Sequence, residues 1–221
     1  MEEKTDWYTK TKEFWANSET SIAGVLGGED QVHSIDVKTS CELLEGLIRT
    51  GKITPNKVID LGAGIGRVTS SVLLNYFKEC DLMEQNEKYI SFCKEAFKNE
   101  EKVKNIYHSS FQNFQFDVEK RGKYDAIWIQ WCLENLDDED LKEFLLKCVN
   151  ALQDDGLIII KENIVMKGYH FSDCDFSKQR SDVIFKKNFN ESGLKIFKHF
   201  HHPNWPEDLM KVSVFVLKKI K

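Results

Sequence analysis

Proline is scarce in this chain: Pro55, Pro203 and Pro206 are the only three in 221 residues. Punctuation between elements therefore falls to Gly, Asn and Asp. No low-complexity linker or internal repeat divides the sequence, so one domain is expected over 1–221. Long apolar runs are missing as well. Stretches such as Leu157 to Ile160 suit one buried strand, far short of the ~20 residues that a membrane-spanning helix needs. The opening MEEKTDWYTK lacks the apolar centre of a secretory signal. Positive charge is not in excess: the net charge is −5 and the pI about 5.7, which argues against an electrostatic nucleic-acid partner. The six cysteines (Cys41, Cys80, Cys93, Cys132, Cys148 and Cys174) include no Cys-x-x-Cys pair. That spacing disfavours a structural zinc site, and without a secretory signal the cysteines read as thiols in a reducing compartment. His199, His201 and His202 have no neighbouring Cys or acidic pattern to complete a metal site. No metal is expected.

What is present centres on Val58 to Thr69, VIDLGAGIGRVT. An apolar run leads into Asp60, then Gly62, Gly64 and Gly66, and a helical pattern follows through Val68, Val72, Leu73 and Phe77. Strand, glycine turn and helix make a nucleotide site in open α/β sheets, with glycine where backbone turns tightly or approaches a ligand. Glu84 ends the next apolar stretch, at the separation where an acid meets a ribose diol. The dinucleotide fingerprint Gly-x-Gly-x-x-Gly is not met, because its third position is Arg67. Nor is there a Gly-Lys-Ser/Thr phosphate loop. The looser spacing suits a nucleoside without pyrophosphate, and S-adenosylmethionine is such a ligand. Arg67 can pair with its carboxylate through a guanidinium fork; the competing reading of Arg67 is a surface salt bridge.

Helical patterns precede this loop. One holds Trp7, Tyr8, Phe14 and Trp15; another runs from about Asp36 to Leu47. Beyond it, strands are expected at Lys57–Leu61, Cys80–Glu84, Val103–His108, Tyr124–Ile129, Leu157–Lys161, Leu194–His201 and Val212–Leu217. Helices are expected at Gly66–Phe77, Glu87–Lys98, Asp138–Leu152 and Arg180–Ser192. Such alternation predicts an α/β fold with a mostly parallel sheet and helices on both faces. The last two strands lack an intervening helix, which predicts an antiparallel hairpin at the sheet edge. Ligands then belong beyond the carboxyl ends of the parallel strands, where Gly62, Glu84, Gln130 and Asn163 fall.

Further motifs identify a family. Phe14-Trp15, Leu26-Gly27-Gly28 and Ser34-Ile35-Asp36 lie in the leader. DLGAGIGRVT, Trp128-Ile129-Gln130-Trp131, IIIKEN (Ile158 to Asn163), Asp173-x-Asp175 and Arg180 follow. Taken together they resemble the protein N-terminal α-N-methyltransferases, over almost the whole chain. The resemblance implies a Rossmann-like, seven-stranded class I methyltransferase sheet (51–221) preceded by a helical leader (1–50) that contributes to the substrate channel. It implies S-adenosylmethionine as cofactor, held by Gly62, Gly64, Arg67 and Glu84, with Phe111 and Gln112 at adenine and Gln130 at the methionine moiety. Trp15, Leu26 and Trp131 would shape a channel for a protein N-terminus of the form Xaa-Pro-Lys. Asn163 and Asp175 would surround the attacking amine as the catalytic pair, with Asn135, Asp173 and Ser177 also on the substrate side. A cytoplasmic or nuclear location goes with this resemblance.

The residues alone leave bland readings open. Trp15, Trp128 and Trp131 also fit a core. Asp173 and Asp175 also fit solvated loop acids, and Asn163 a turn former. Asp137-Asp138-Glu139-Asp140 reads as a helix N-terminus, where acids oppose the dipole. Three positions depart from the family: Asn135 stands where histidine is usual, Ser172 where an acid is common, and Met210 where tyrosine is expected. An α-ammonium of pKa ~7.7–8.0 costs only about 1 kcal/mol to deprotonate near neutral pH, against about 4–5 kcal/mol for a lysine side chain. Asp175, directly or through a water, suffices for the smaller task. The competing functions are a methyltransferase acting on a small molecule or another protein site, and a non-catalytic module that binds N-termini.

Overall fold

The computed structural model describes residues 2–220, with side chains described from residue 6 onward. Helix α1 (Glu2–Asn17), a single turn α2 (Ile22–Val25) and helix α3 (His33–Arg49) form the leader. The alternating part runs β1 (Lys57–Leu61), α4 (Arg67–Ser71), β2 (Glu79–Glu84), α5 (Glu87–Ala96), β3 (Val103–His108), α6 (Val118–Arg121), β4 (Tyr124–Gln130), α7 (Asp138–Ala151) and β5 (Leu152–Val165). It closes with β6 (Tyr169–Phe171), β7 (Lys178–Ser181), α8 (Asp182–Glu191), β8 (Leu194–His201) and β9 (Val212–Lys219).

The main sheet has the order β3-β2-β1-β4-β5-β9-β8. All pairs from β3 to β5 are parallel; β9 runs antiparallel to both β5 and β8. The seven-stranded expectation therefore holds, with one refinement. The last strand does not sit at the edge: β9 inserts between β5 and β8, and of this hairpin β8 is the edge strand. Burial follows, since β9 is buried over Val212–Leu217 while β8 is mostly exposed or half-buried.

Apolar runs rather than alternation mark the central strands because both faces are covered. Ile59, Leu61, Ile127, Ile129, Ile158 and Ile160 face the core under α7 and α8. Their neighbours Val58, Ala126, Trp128 and Ile159 face the opposite core, which Leu43, Leu44 and Leu47 of α3 complete. Asp137 caps α7 by accepting from the Asp140 N–H at 2.8 Å, so the acidic run is the helix N-terminus that the sequence suggests.

Two expectations need correction. The helix after the glycine loop is not continuous to Phe77: α4 ends at Ser71, and a 3-10 turn covers Leu73–Asn75. The segment Val68-Thr69-Ser70-Ser71-Val72 is rich in β-branched and hydroxyl residues, which hold helix poorly. Thr69 Oγ1 donates instead to Asp60 Oδ2 at 2.6 Å. Arg180 does not start a helix. It lies in β7, which pairs antiparallel with β6 and parallel with the last residues of β5. This hairpin extends one end of β5 over the site and was not expected.

Candidate active site

The three glycines of the loop all take left-handed φ: 73° at Gly62, 57° at Gly64 and 74° at Gly66. A Cβ on Gly62 would lie 2.8 Å from Cys132 Sγ and 3.1 Å from Phe111 Cζ. One on Gly66 would lie 2.5 Å from the Phe97 ring, so Gly66 supplies the close packing that the dinucleotide pattern puts one residue later. Beside the loop, Glu84 ends β2 with its carboxylate accepting from backbone N–H groups: Gln85 at 2.8 Å, Asn86 at 2.7 Å and Gly64 at 3.0 Å. Burial raises its pKa, and those donors oppose the rise. Asp60 next door is pushed up to about 6 by burial, against the Thr69 hydroxyl.

Gly62, Gly64, Arg67, Glu84, Phe111 and Gln130 line one cavity. Gln112 does not line it; it borders a neighbouring cleft with Phe111. Arg67 is buried rather than at the surface. Its Nη1 donates to Asp36 Oδ2 at 2.8 Å and meets His33 Nδ1 at 3.3 Å, and its guanidinium stacks 5.3 Å from the Trp131 ring centre. Its Nη2–Nε edge makes no protein bond among the described residues, which leaves that edge for a ligand carboxylate. Asp36 organises this corner. Burial alone would raise its pKa, but Lys161 and Arg67 together hold it down at about 2. Gln130 donates to both Asp36 oxygens, at 2.9 and 3.0 Å. Trp128 is core, and its Nε1 donates to Gln130 Oε1 at 3.0 Å, so it orients that amide.

A second cavity abuts the first through a shared wall of Trp15, Val25 and Trp131. Trp131 follows β4 with φ 53°, a strained value for a bulky residue and a mark of functional constraint. Its strand neighbour Trp128 is fully buried, so the two tryptophans divide between core and site as the strand end dictates. The second cavity is lined by Leu26, Asn163 and Asp175 as the sequence suggests. Ser177 does not line it but holds Asp175: its Oγ donates to Asp175 Oδ1 at 2.8 Å. Asp173 is exposed and lines neither cavity. Asn135 borders the first cavity and the adjoining cleft, not the second. Glu134, Trp205, Leu209 and Glu29 line the second cavity and were missed. Glu134 follows the carboxyl end of β4, so the strand-end rule could have found it; Trp205 comes from the β8–β9 connection, which no local signal points to.

Helix α1 roofs both cavities. Trp7 Nε1 and Thr11 Oγ1 donate to the Phe176 carbonyl in the β6–β7 hairpin. Asn86 Nδ2 donates to the Trp15 carbonyl at 2.8 Å. Elsewhere, His199 and His201 gather with Asp182. Ser213 Oγ donates to Asp182 at 2.7 Å and contacts both rings, so the cluster is satisfied by its own hydrogen bonds; His202 packs apart, on Trp205.

The residues fit S-adenosylmethionine on three counts. The left-handed loop leaves room where Cβ atoms would intrude, Glu84 offers acceptors for a ribose diol, and Trp15 Nε1, Trp131 Nε1 and Asn135 Oδ1 are buried without partners among the described residues.

Similarity to known proteins agrees with this geometry. A family model described as AdoMet dependent proline di-methyltransferase matches residues 3–218. Alpha N-terminal protein methyltransferase 1 of Dictyostelium discoideum is 38% identical over 225 residues, spanning 99% of this chain and 81% of that protein. N-terminal Xaa-Pro-Lys N-methyltransferase 1 of Homo sapiens is 32% identical over 224 residues, spanning 99% and 98%. A solved SAM-dependent methyltransferase from Leishmania major superimposes with a TM-score of 0.89 at 32% identity, covering 96% of this chain and 83% of that one. Phosphoethanolamine N-methyltransferase 1 of Haemonchus contortus shares the fold, with a TM-score of 0.74 at 16% identity over 98% of this chain and 49% of that one. S-adenosylmethionine is the cofactor, and the chain belongs to the family of AdoMet dependent proline di-methyltransferases.

Proposed function

We propose that this protein methylates the free α-amine of protein N-termini of the Xaa-Pro-Lys type, the substrates for which several of its relatives are named. The observation that carries this reading is the charge of the second cavity. Glu29, Glu134 and Asp175 line it, and no Lys or Arg does among the described residues. An acidic cavity beside an aromatic wall suits the cationic end of a chain. Leu26, Leu209 and Met210 give it an apolar side that suits a proline ring.

When bound, S-adenosylmethionine supplies an electrophilic methyl on a sulfonium. Gly62, Gly64, Glu84 and Arg67 would hold the cofactor, and Phe111 would face its adenine. Trp15 and Trp131 exclude water from the junction of the two cavities, and their faces favour positive charge on the amine. Asn163 and Asp175 orient the amine, and Ser177 keeps the Asp175 carboxylate in place. Holding both reactants in adjoining cavities supplies much of the rate. The same reading places the protein in the cytoplasm or nucleus.

The test incubates the protein with S-adenosylmethionine and a Ser-Pro-Lys peptide, beside its N-acetylated twin, and reads masses. Whole-methyl gains on the free peptide alone support the reading. Gains on both peptides move the target to a side chain, and gains on neither overturn it.

A further inference from the structure

Glu134 sits in the 3-10 turn Leu133–Asn135, one residue before the asparagine that replaces the expected histidine. It is only 6% exposed. It lines the second cavity with Asn163 and Asp175, and its Oε2 has no hydrogen-bond partner among the described residues. A buried carboxylate oxygen left without a donor is costly, and such a group calls for a ligand. We propose that Glu134 is a catalytic residue of this protein, the acceptor for the proton that leaves the substrate's α-amine before methyl transfer. The proposal rests on the N-terminal methylation reading above.

The turn is pinned on both sides. Arg180 is fully buried; its Nη1 donates to the Leu133 carbonyl at 3.0 Å, its Nη2 to that of Leu136, and its Nε to Asp138 at 2.7 Å. Glu162 of β5 accepts from the N–H groups of Cys132 at 2.9 Å and Leu133 at 2.8 Å. The backbone around Glu134 is therefore held from β5 and β7 together, which gives the side chain a rigid base.

The charges facing Glu134 come from three elements. Burial raises its pKa well above the carboxylate range, and the carboxylates of Glu162 and of Asp175 in the hairpin add to this. The Asn163 amide and Arg180 oppose the rise. An entering α-ammonium brings the opposite charge and favours the carboxylate. Glu134 then takes a proton from the bound ammonium: the N–H bond breaks and an O–H bond forms at Oε2. The freed nitrogen lone pair forms the N–C bond while the C–S bond breaks with its electrons on sulfur. A neutral thioether and a methylammonium result, and Glu134 holds the proton. Asn135 has no part in this step, since an amide does not accept the proton near neutral pH.

The test compares wild type with Glu134→Gln, which keeps the shape and removes the acceptor. At about pH 7 the variant's kcat falls roughly 10²-fold, the lower end for lost general-base catalysis. Much of that loss returns near pH 9, above the ~7.7–8.0 pKa of an α-amine, because the bound ammonium then sheds its own proton. Affinity for S-adenosylmethionine does not change. Glu134→Asp restores part of kcat. Wild-type kcat in Glu134→Gln overturns the proposal. A loss of kcat without recovery at high pH, shared by Glu134→Asp, overturns it by assigning Glu134 to structure alone. Failure of wild type to methylate the peptide sinks the functional reading itself, and is seen before any variant is made.

Discussion

The two cavities are built in opposite ways. The cofactor floor is local: Gly62, Gly64 and Arg67 lie within one turn, and Asp60 and Glu84 end neighbouring strands held in register (Asp60 beside Leu82, Leu61 beside Met83). The substrate cavity is assembled from afar. Trp15, Leu26, Glu134, Asn163, Asp175 and Trp205 come from six separate stretches of chain, tied across the roof by bonds such as those from Trp7 and Thr11 to Phe176. A floor made by the sheet itself is shared by many enzymes of this fold; a roof made by additions is where substrate choice resides. The distinction predicts that floor variants lose cofactor and stability together, whereas roof variants lose peptide alone.

The largest expected effect tests the floor. Gly62→Ala requires a left-handed φ, which costs an L-residue about 1–2 kcal/mol, and drives a methyl into Cys132 and Phe111, an overpacking worth about 1–3 kcal/mol more. Calorimetry is expected to show no measurable S-adenosylmethionine binding, and denaturant unfolding a loss on the order of 2–5 kcal/mol. Asp36→Ala comes next. It strands buried Lys161 and Arg67 without their counter-charge, a change that typically costs about 3–5 kcal/mol. Cofactor affinity falls with it, because Gln130 and Arg67 lose their common anchor.

Acid groups give a pH signature of the same order. Burial pushes Asp60 up to about 6 and Glu162 up to about 7, from unfolded values near ~3.9 and ~4.3. The folded state then binds more protons than the unfolded state across that window. Stability contributed by these groups is full below pH ~4 and is lost as pH rises to ~7, by a few kcal/mol in all at ~1.36 kcal/mol per pH unit. Asp36 acts in the opposite sense, and its contribution is lost only as pH falls from ~3.9 toward about 2. Melting temperatures are expected to fall between pH 5 and 8. Glu134→Gln flattens that slope while it lowers turnover, because it removes another buried carboxyl whose pKa is raised. A steeper slope in the variant contradicts this account.

What the sequence disclosed follows the same division. β1, β3 and β8 appear with the bounds that their apolar runs predict, and Gly62, Arg67 and Glu84 meet in one cavity because spacing along parallel strands fixes their ends. Bounds failed where contacts far along the chain decide. α4 breaks because Thr69 bonds to Asp60, and Arg180 joins a strand because the hairpin pairs with the overlong β5. Leu26 and Asp175, which the resemblance puts on the substrate side, both line the second cavity, where spacing alone does not lead. Glu134 was named by neither route: its place past the end of β4 is shared with its neighbours, and what sets it apart is Asn163 and Asp175, brought to it by the fold.

A smaller effect belongs to the tether of the roof. The Tyr8 hydroxyl donates to Asp140 and accepts from the Asp137 N–H at 3.1 Å, joining α1 to the start of α7. Tyr8→Phe removes these bonds at a cost of about 0.5–1.5 kcal/mol each. The peptide KM is expected to rise severalfold with S-adenosylmethionine affinity intact, which steady-state kinetics and calorimetry separate. Equal loss of both ligands means that α1 supports the floor as well.

The smallest expected effect distinguishes the two aspartates of the hairpin. Asp175 lines the substrate cavity and is held by Ser177, whereas Asp173, two residues earlier, is exposed and lines neither cavity. An exposed carboxylate acting on a peptide through solvent contributes little, about 0–1 kcal/mol. Asp173→Asn should therefore leave kcat unchanged and alter the KM for a Ser-Pro-Lys peptide by no more than about fivefold, shrinking further as salt screens the interaction. Asp175→Asn, measured beside it, should lower kcat by at least roughly 10-fold while S-adenosylmethionine affinity holds. Similar effects from both changes indicate that the hairpin acts through its net charge. A wide gap between them shows that what matters is which carboxylate the β6–β7 hairpin turns into the cavity, the feature of this chain that local sequence discloses least.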